Sequence, residues 1–357
     1  MNHVVLCLMA CAVAAVVLDP PTGPPVGVWM AKNVTKNDVD KDDIIKGSGP
    51  KIALAQKVTN RDATNWELTK RKAIEGDWQA ADGENERILQ DVVEVGNEEG
   101  VPLYPCRGAY KGGVQLGRVR ADFHGCHIGY DGREIEVMPY ETLMVTWVEA
   151  SIGEVPPGAS PAGASPMLAA NAPFRVTPLV ACRAAWRATL QIGEVRDGGC
   201  TFGFGGQQVM AEQYEALVAS PWMTWAPAVP LSLGGTAIAG GSENGDKLYI
   251  CRAAAGGGVH IGKIKQSALG CNVTDGRREL VAKRFELLIP RWRTGTEGTL
   301  PVSALPQGRE NGASQYLCRA QRNNTVQIGR VSENQAGCHI GMQGGEAVAT
   351  VYDVLGE

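Results

Sequence analysis

Three carboxylates in this chain stand at a fixed offset from a cation. Glu98 precedes Arg118, Glu243 precedes Lys263 and Glu310 precedes Arg330, each acid eight residues before and each cation twelve residues after the Cys of a Cys-Arg dipeptide. A carboxylate beside a cation accepts from one hydroxyl and donates to the next, which suits the adjacent hydroxyls of a sugar. Tyr104, Tyr249 and Tyr316 each follow six residues after an acid and could stack on a sugar's apolar face. The acids lie in turn-like text, Gly96-Asn97-Glu98-Glu99-Gly100, Gly241-Ser242-Glu243-Asn244-Gly245 and Gly308-Arg309-Glu310-Asn311-Gly312. Loops held on a rigid sheet are where binding residues concentrate. The plainer alternative is a surface ion pair of little stability value.

Other chemistry finds no support. There is no Gly-x-Ser-x-Gly elbow, His-Glu-x-x-His, phosphate loop or dinucleotide fingerprint, so neither an enzyme nor a cofactor is expected. His127 and His339 directly follow a Cys, but Thr201 and Asn272 hold the matching places elsewhere, which reads as polar strand positions. A formal charge of -4 and a pI near 5.8, with Lys and Arg scattered, exclude nucleic acid as a partner.

The elements that must position these residues recur four times. Cys106-Arg107, Cys182-Arg183, Cys251-Arg252 and Cys318-Arg319 are each followed by a Gly 11 residues after the Cys, namely Gly117, Gly193, Gly262 and Gly329. A second Cys follows 20 residues on in three copies and 18 in the second, always after a Gly: Cys126, Cys200, Cys271 and Cys338. Each unit closes on an aromatic, an acid, any residue and Leu, as in Tyr140-Glu141-Thr142-Leu143 or Tyr352-Asp353-Val354-Leu355. Because every copy keeps both cysteines, the economical pairing is internal: Cys106 to Cys126, Cys182 to Cys200, Cys251 to Cys271 and Cys318 to Cys338. A zinc site is the alternative, but no two cysteines are two apart and no His pair has ligand spacing, and no metal is expected. Repeat 2 has Phe174 and Glu194 at the acid and cation positions and should lack the charged pair.

Around the four glycines, text such as Val114-Gln115-Leu116-Gly117-Arg118-Val119 alternates apolar with polar, and Gly-Gly or Asn-Gly pairs punctuate it. The expected fold is mostly β, four tandem disulfide-containing antiparallel β repeats. Trp78, Trp147, Trp225 and Trp292 mark where units begin. The expected division is repeat 1 at 78–150, repeat 2 at 174–224, repeat 3 at 225–291 and repeat 4 at 292–357. Residues 151–173, rich in Pro, Ala, Gly and Ser, read as a linker unable to build a core. Repeats 3 and 4 follow without a linker, so a tight pair is expected there. Residues 1–18 end in an apolar run, Val4 to Leu18, that reads as a signal peptide and implies secretion. Residues 19–77 are unassigned, with helical composition over 51–76. Asn33, Asn272 and Asn323 head Asn-x-Thr sequons and are candidate glycosylation sites.

Leu248-Tyr249-Ile250-Cys251-Arg252-Ala253, Gly262-Lys263-Ile264, Gly270-Cys271, the turn with Glu279 and Phe285-Glu286-Leu287-Leu288 together resemble the DM-nine repeat family, also met as the amino-terminal module of natterin-like proteins. The resemblance covers residues 78 to 357 in four copies. It implies a β-rich fold in which two repeats combine as a pseudo-symmetric pair, and, as in members studied as lectins, binding of mannose-type glycans through a repeated acid and Lys. Here the Lys is Lys263, with Arg118 and Arg330 in copies 1 and 4, and the family's acid falls one position before Glu243, at Ser242. Two functions follow as expectations. One is a secreted, multivalent carbohydrate-binding protein with glycans or glycoproteins as partners; the other is a structural extracellular protein whose stapled repeats self-associate.

Overall fold

The computed structural model describes residues 77–81, 91–159, 161–167, 175–228, 233–297 and 299–357. The expected signal peptide, Asn33, Phe174 and the segment of helical composition lie outside them. Every element among the described residues is a strand.

Repeat 1 carries β1 (Trp78–Ala81), β2 (Gly96–Glu98), β3 (Val101–Tyr110), β4 (Gly113–Val119), β5 (Cys126–Tyr130), β6 (Arg133–Val137) and β7 (Tyr140–Leu143). Repeat 2 carries β8 (Trp147–Ser151), β9 (Pro161–Met167), β10 (Arg175–Trp186), β11 (Thr189–Arg196), β12 (Gly199–Phe204), β13 (Gln207–Ala211) and β14 (Gln213–Leu217). Repeat 3 has β15 (Met223–Pro227), β16 (Ala239–Glu243), β17 (Asp246–Ala255), β18 (Gly258–Lys265), β19 (Cys271–Thr274), β20 (Glu279–Ala282) and β21 (Glu286–Pro290). Repeat 4 has β22 (Trp292–Thr296), β23 (Pro306–Glu310), β24 (Ala313–Arg322), β25 (Thr325–Ser332), β26 (Gln335–Met342), β27 (Gly345–Ala349) and β28 (Val351–Leu355).

All four expected disulfides form, with Cα–Cα separations of 5.7 to 6.0 Å, and all eight sulfurs are buried. The recurring Gly explains itself at this crossing. Gly262 lies opposite Cys251 in register, and a Cβ on it would meet the Asn272 carbonyl oxygen at 1.8 Å. Only the missing side chain lets the second-Cys strand come that close. The other repeated signatures converge as well. Arg107, Arg183, Arg252 and Arg319 lie 4.4 to 4.7 Å over Trp78, Trp147, Trp225 and Trp292. The same four arginines pair with Glu141, Glu215, Glu286 and Asp353 of the closing motifs.

The repeats do not pair in chain order. Strands of repeat 1 share one 14-stranded sheet with repeat 4, and strands of repeat 2 share another with repeat 3. The short strand of each repeat enters its partner: Asn97 of β2 faces Val326 of β25, and Arg309 of β23 faces Val114 of β4. Likewise Ser242 of β16 faces Leu190 of β11, and Ala164 of β9 faces Val259 of β18. The expected tight pairing of repeats 3 and 4 is therefore replaced by 1 with 4 and 2 with 3, because a strand edge rather than chain proximity selects the neighbour.

The expected linker, 151–173, is corrected too. Its residues Pro161–Met167 form β9, hydrogen-bonded to β10 and to β18 of repeat 3, and Ala162 is only 8% exposed. Small residues suit the place, since a Cβ on Gly163 would meet the Val259 carbonyl oxygen at 2.5 Å. Repeat 2 opens at Trp147, whose strand β8 pairs with its own closing strand β14, so residues 147–150 belong to repeat 2 rather than repeat 1.

One apolar cluster gathers residues from all four repeats, among them Leu103, Leu116, Ile192, Ile261, Leu317 and Ile328. A smaller cluster surrounds each disulfide.

Candidate functional site

The charged residues singled out by spacing collect along the seams between paired repeats. Arg118, Lys263 and Arg330 are 2%, 4% and 1% exposed, so these are not surface ion pairs. Each cation is aimed there because its strand passes the partner repeat's second-Cys strand, whose carbonyl it meets. Arg118 Nε donates to Gly341 O at 2.8 Å, and Arg330 Nε to Gly129 O at 3.1 Å. Lys263 Nζ donates to Gly203 O.

In repeat 1, Arg118 bonds Glu98 at 2.9 Å, Glu134 at 3.0 Å and Gln327 of repeat 4 at 3.2 Å. Glu134 also accepts from His127 at 2.9 Å and, through its other oxygen, from the Gly344 amide of repeat 4 at 2.8 Å. Burial raises the Glu134 carboxyl's pKa, but bonds from His127, Gly344 and Arg118 outweigh it and hold the value at about 2.

Repeat 4 mirrors this more loosely. Arg330 lies 3.9 Å from Glu310 and 3.6 Å from Glu346, and besides Gly129 O it donates to Gln335 at 2.6 Å. Glu346 accepts from His339 at 3.0 Å and from the Gly132 amide of repeat 1 at 2.9 Å. Burial lowers the pKa of Arg330, opposed by Glu346 and Glu310.

In repeat 3 the expected pair is not formed: Glu243 pairs with Lys265 at 3.4 Å rather than with Lys263. Lys263 instead donates to Gln191 and Gly203 O, both of repeat 2. Burial lowers its pKa, while the charges of Glu279 and Glu243 act in the opposite sense. Both bonds of the compact Lys263 ammonium go to repeat 2, whereas the planar guanidinium fork of Arg118 also reaches acids of its own repeat.

Repeat 2 lacks the set, as expected, and inverts its polarity. Glu194 is fully buried and accepts from Arg196 at 2.6 Å, from the Ile261 amide at 3.0 Å and lies 3.0 Å from His260. The place of its missing acid is not Phe174. Ala164 shares the register of Asn97, Ser242 and Arg309, so Ser165 occupies the position of Glu98, Glu243 and Glu310.

Sequence reasoning did not assign Glu134, Glu279 and Glu346 to the charged sets, although each stands sixteen residues after its cation. It also missed the partner repeats' glutamines, Gln327 and Gln191, which face Arg118 and Lys263. The expected stacking residues Tyr104, Tyr249 and Tyr316 belong elsewhere, buried in the disulfide clusters. Of the two sequons in view, Asn272 is in a strand with its amide on Glu279 at 3.0 Å, and Asn323 is exposed at the turn between β24 and β25. Among the described residues no group of three or more His, Cys, Asp or Glu could hold a metal ion. A surface groove of about 550 Å³ against Glu149, Arg183, Leu190 and Tyr214 includes none of the charged seam residues.

The family model described as DM9 repeat matches this sequence four times, over residues 58–137, 97–195, 174–282 and 269–349. No curated protein matches. Among solved structures, the nematode sperm cell motility protein MFP2B is similar at 11% identity, with 78% of this chain and 97% of that chain covered and a TM-score of 0.17.

Proposed function

We propose that this chain, which belongs to the DM9 repeat family, is a secreted, multivalent carbohydrate-binding protein that takes sugar hydroxyls, those of mannose-type glycans first, at the charged seams. The observation that carries this reading is Lys263: of its three N–H donors two are used, and Glu243 and Glu279 flank it without bonding it. A pair of adjacent hydroxyls would use these groups, one accepting from the ammonium and one donating to a carboxylate. Four buried disulfides are consistent with an extracellular protein. The reading is of a binder, with glycans or glycoproteins as partners and no catalytic step.

A second reading, a structural extracellular protein that self-associates, is favoured by one fact. Each seam cation also donates to a carbonyl of the partner repeat, so the charges fasten repeats together. A glycan array with the oxidised protein, beside the variant carrying Glu98→Ala, Glu243→Ala and Glu310→Ala, separates the two. Glycan binding lost in the folded variant supports the first reading. A folded parent that binds no glycan but grows in size with concentration by light scattering supports the second.

A further inference from the structure

Two of the three charged sets have a feature the third lacks, an aromatic ring donated by the partner repeat. Tyr130, the fourth residue after Cys126, ends β5 with its ring centroid 5.7 Å from the Arg330 guanidinium of repeat 4. Its hydroxyl bonds Glu310, which raises the phenol's pKa. Phe204, the fourth residue after Cys200, ends β12 with its ring 5.7 Å from Lys263 Nζ of repeat 3. Both rings are partly exposed.

Their surroundings correspond in part. Tyr110 meets Tyr130 edge-on at 5.1 Å, whereas Trp186, at the matching place in repeat 2, meets Phe202, two residues before Phe204, edge-on at 6.1 Å. An exposed cation on a flexible stem lies over each ring, Lys111 at 4.9 Å from Tyr130 and Arg187 at 5.6 Å from Phe204. Such a cation can swing aside or donate to a bound hydroxyl.

Repeats 3 and 4 carry Asp275 and Met342 at the position of these rings. The Arg118 set, which meets the hairpin of Gly341 and Met342, therefore receives no ring from its partner. Its own nearby aromatic, Phe123, is already stacked on His127 at 4.0 Å and covered by Arg120 at 4.6 Å. Arg118 itself already spends four of its five N–H donors on Gly341 O, Glu98, Gln327 and Glu134.

We infer that the ligand is a pyranose gripped at two places in each chain, one per repeat pair, with Tyr130 and Phe204 as the walls against which its apolar face rests. Hydroxyls on the opposite edge reach the buried cation and its flanking acids, while C–H groups meet the π face. Repeat 2, which has inverted its own charged set, serves as the wall of repeat 3. This rests on the carbohydrate reading proposed above.

The test is the same glycan array, followed by titration of the strongest-binding glycan on an immobilised surface. The proteins are the parent, Tyr130→Ala, Phe204→Ala, the double variant, and the ring-preserving Tyr130→Phe and Phe204→Tyr. Each single alanine change removes one of two sites and weakens surface binding at least about tenfold through lost avidity. The double variant loses binding, and the ring-preserving variants stay within about twofold of the parent. Near-ultraviolet circular dichroism checks that each protein is folded. If the triple Glu variant loses binding while the folded double alanine variant keeps the parent's, the walls are overturned and the carbohydrate reading stands. A folded parent that binds no glycan overturns both.

Discussion

Changing Glu134 to Gln probes whether seam charges hold repeats 1 and 4 together. One oxygen of Glu134 accepts from Arg118 and His127, and the other accepts from the Gly344 amide across the seam. These bonds bring the carboxyl from an ordinary 4.5 to about 2 in the folded protein. At about 1.36 kcal/mol per pH unit, the difference corresponds to about 3 kcal/mol of stability. The side chain is 11% exposed, so solvent screening removes little of it. Because the folded value lies below the unfolded one, this stability is complete above about pH 4.5 and is lost as pH falls toward 2. Urea unfolding of the oxidised protein, followed by tryptophan fluorescence at pH 7, 4.5 and 2.5, reads it directly. E134Q should be less stable than the parent by about 2 to 3 kcal/mol at pH 7, with the gap closing as pH approaches 2. An equal gap at every pH, or none at pH 7, would refute the argument that the ionised carboxylate holds the seam.

Other consequences follow from the same geometry. Gly262→Ala drives a Cβ to 1.8 Å from the Asn272 carbonyl, so the two strands must part; the melting temperature should fall by about five degrees or more, on the order of a loss of 3 kcal/mol, and an unchanged value would contradict the close approach. Replacing Cys182 and Cys200 together by Ser opens a loop of separation 18. Chain entropy sets the cost at about 3 kcal/mol, measured by the same urea unfolding, and a variant as stable as the parent would count against it.

Much of the fold was legible because it is written in short-range terms. Alternation along Val114 to Val119 marks a strand whatever surrounds it, and two cysteines 20 residues apart in unit after unit can close locally. The acids and cations were legible for the same reason, through their offsets from Cys106, Cys251 and Cys318. Glu134, Glu279 and Glu346 were equally regular but were not joined to the cations, since nothing in spacing says that a residue at the far end of the next hairpin returns to the same cation. Small residues misled in the stretch containing Pro161–Met167, where low complexity reads as an idle tether and instead lets a strand lie between two others.

The sequence by itself determined the β class, the four units, their disulfides and the charge sets, because each follows from residue types at fixed short separations. Only the tertiary structure decided that repeat 1 joins repeat 4 and repeat 2 joins repeat 3, that Glu243 turns to Lys265, and that Tyr130 and Phe204 stand beside Arg330 and Lys263. Those outcomes depend on which exposed strand edge meets which partner and how closely the backbones approach, and neither is a property of any local stretch of chain.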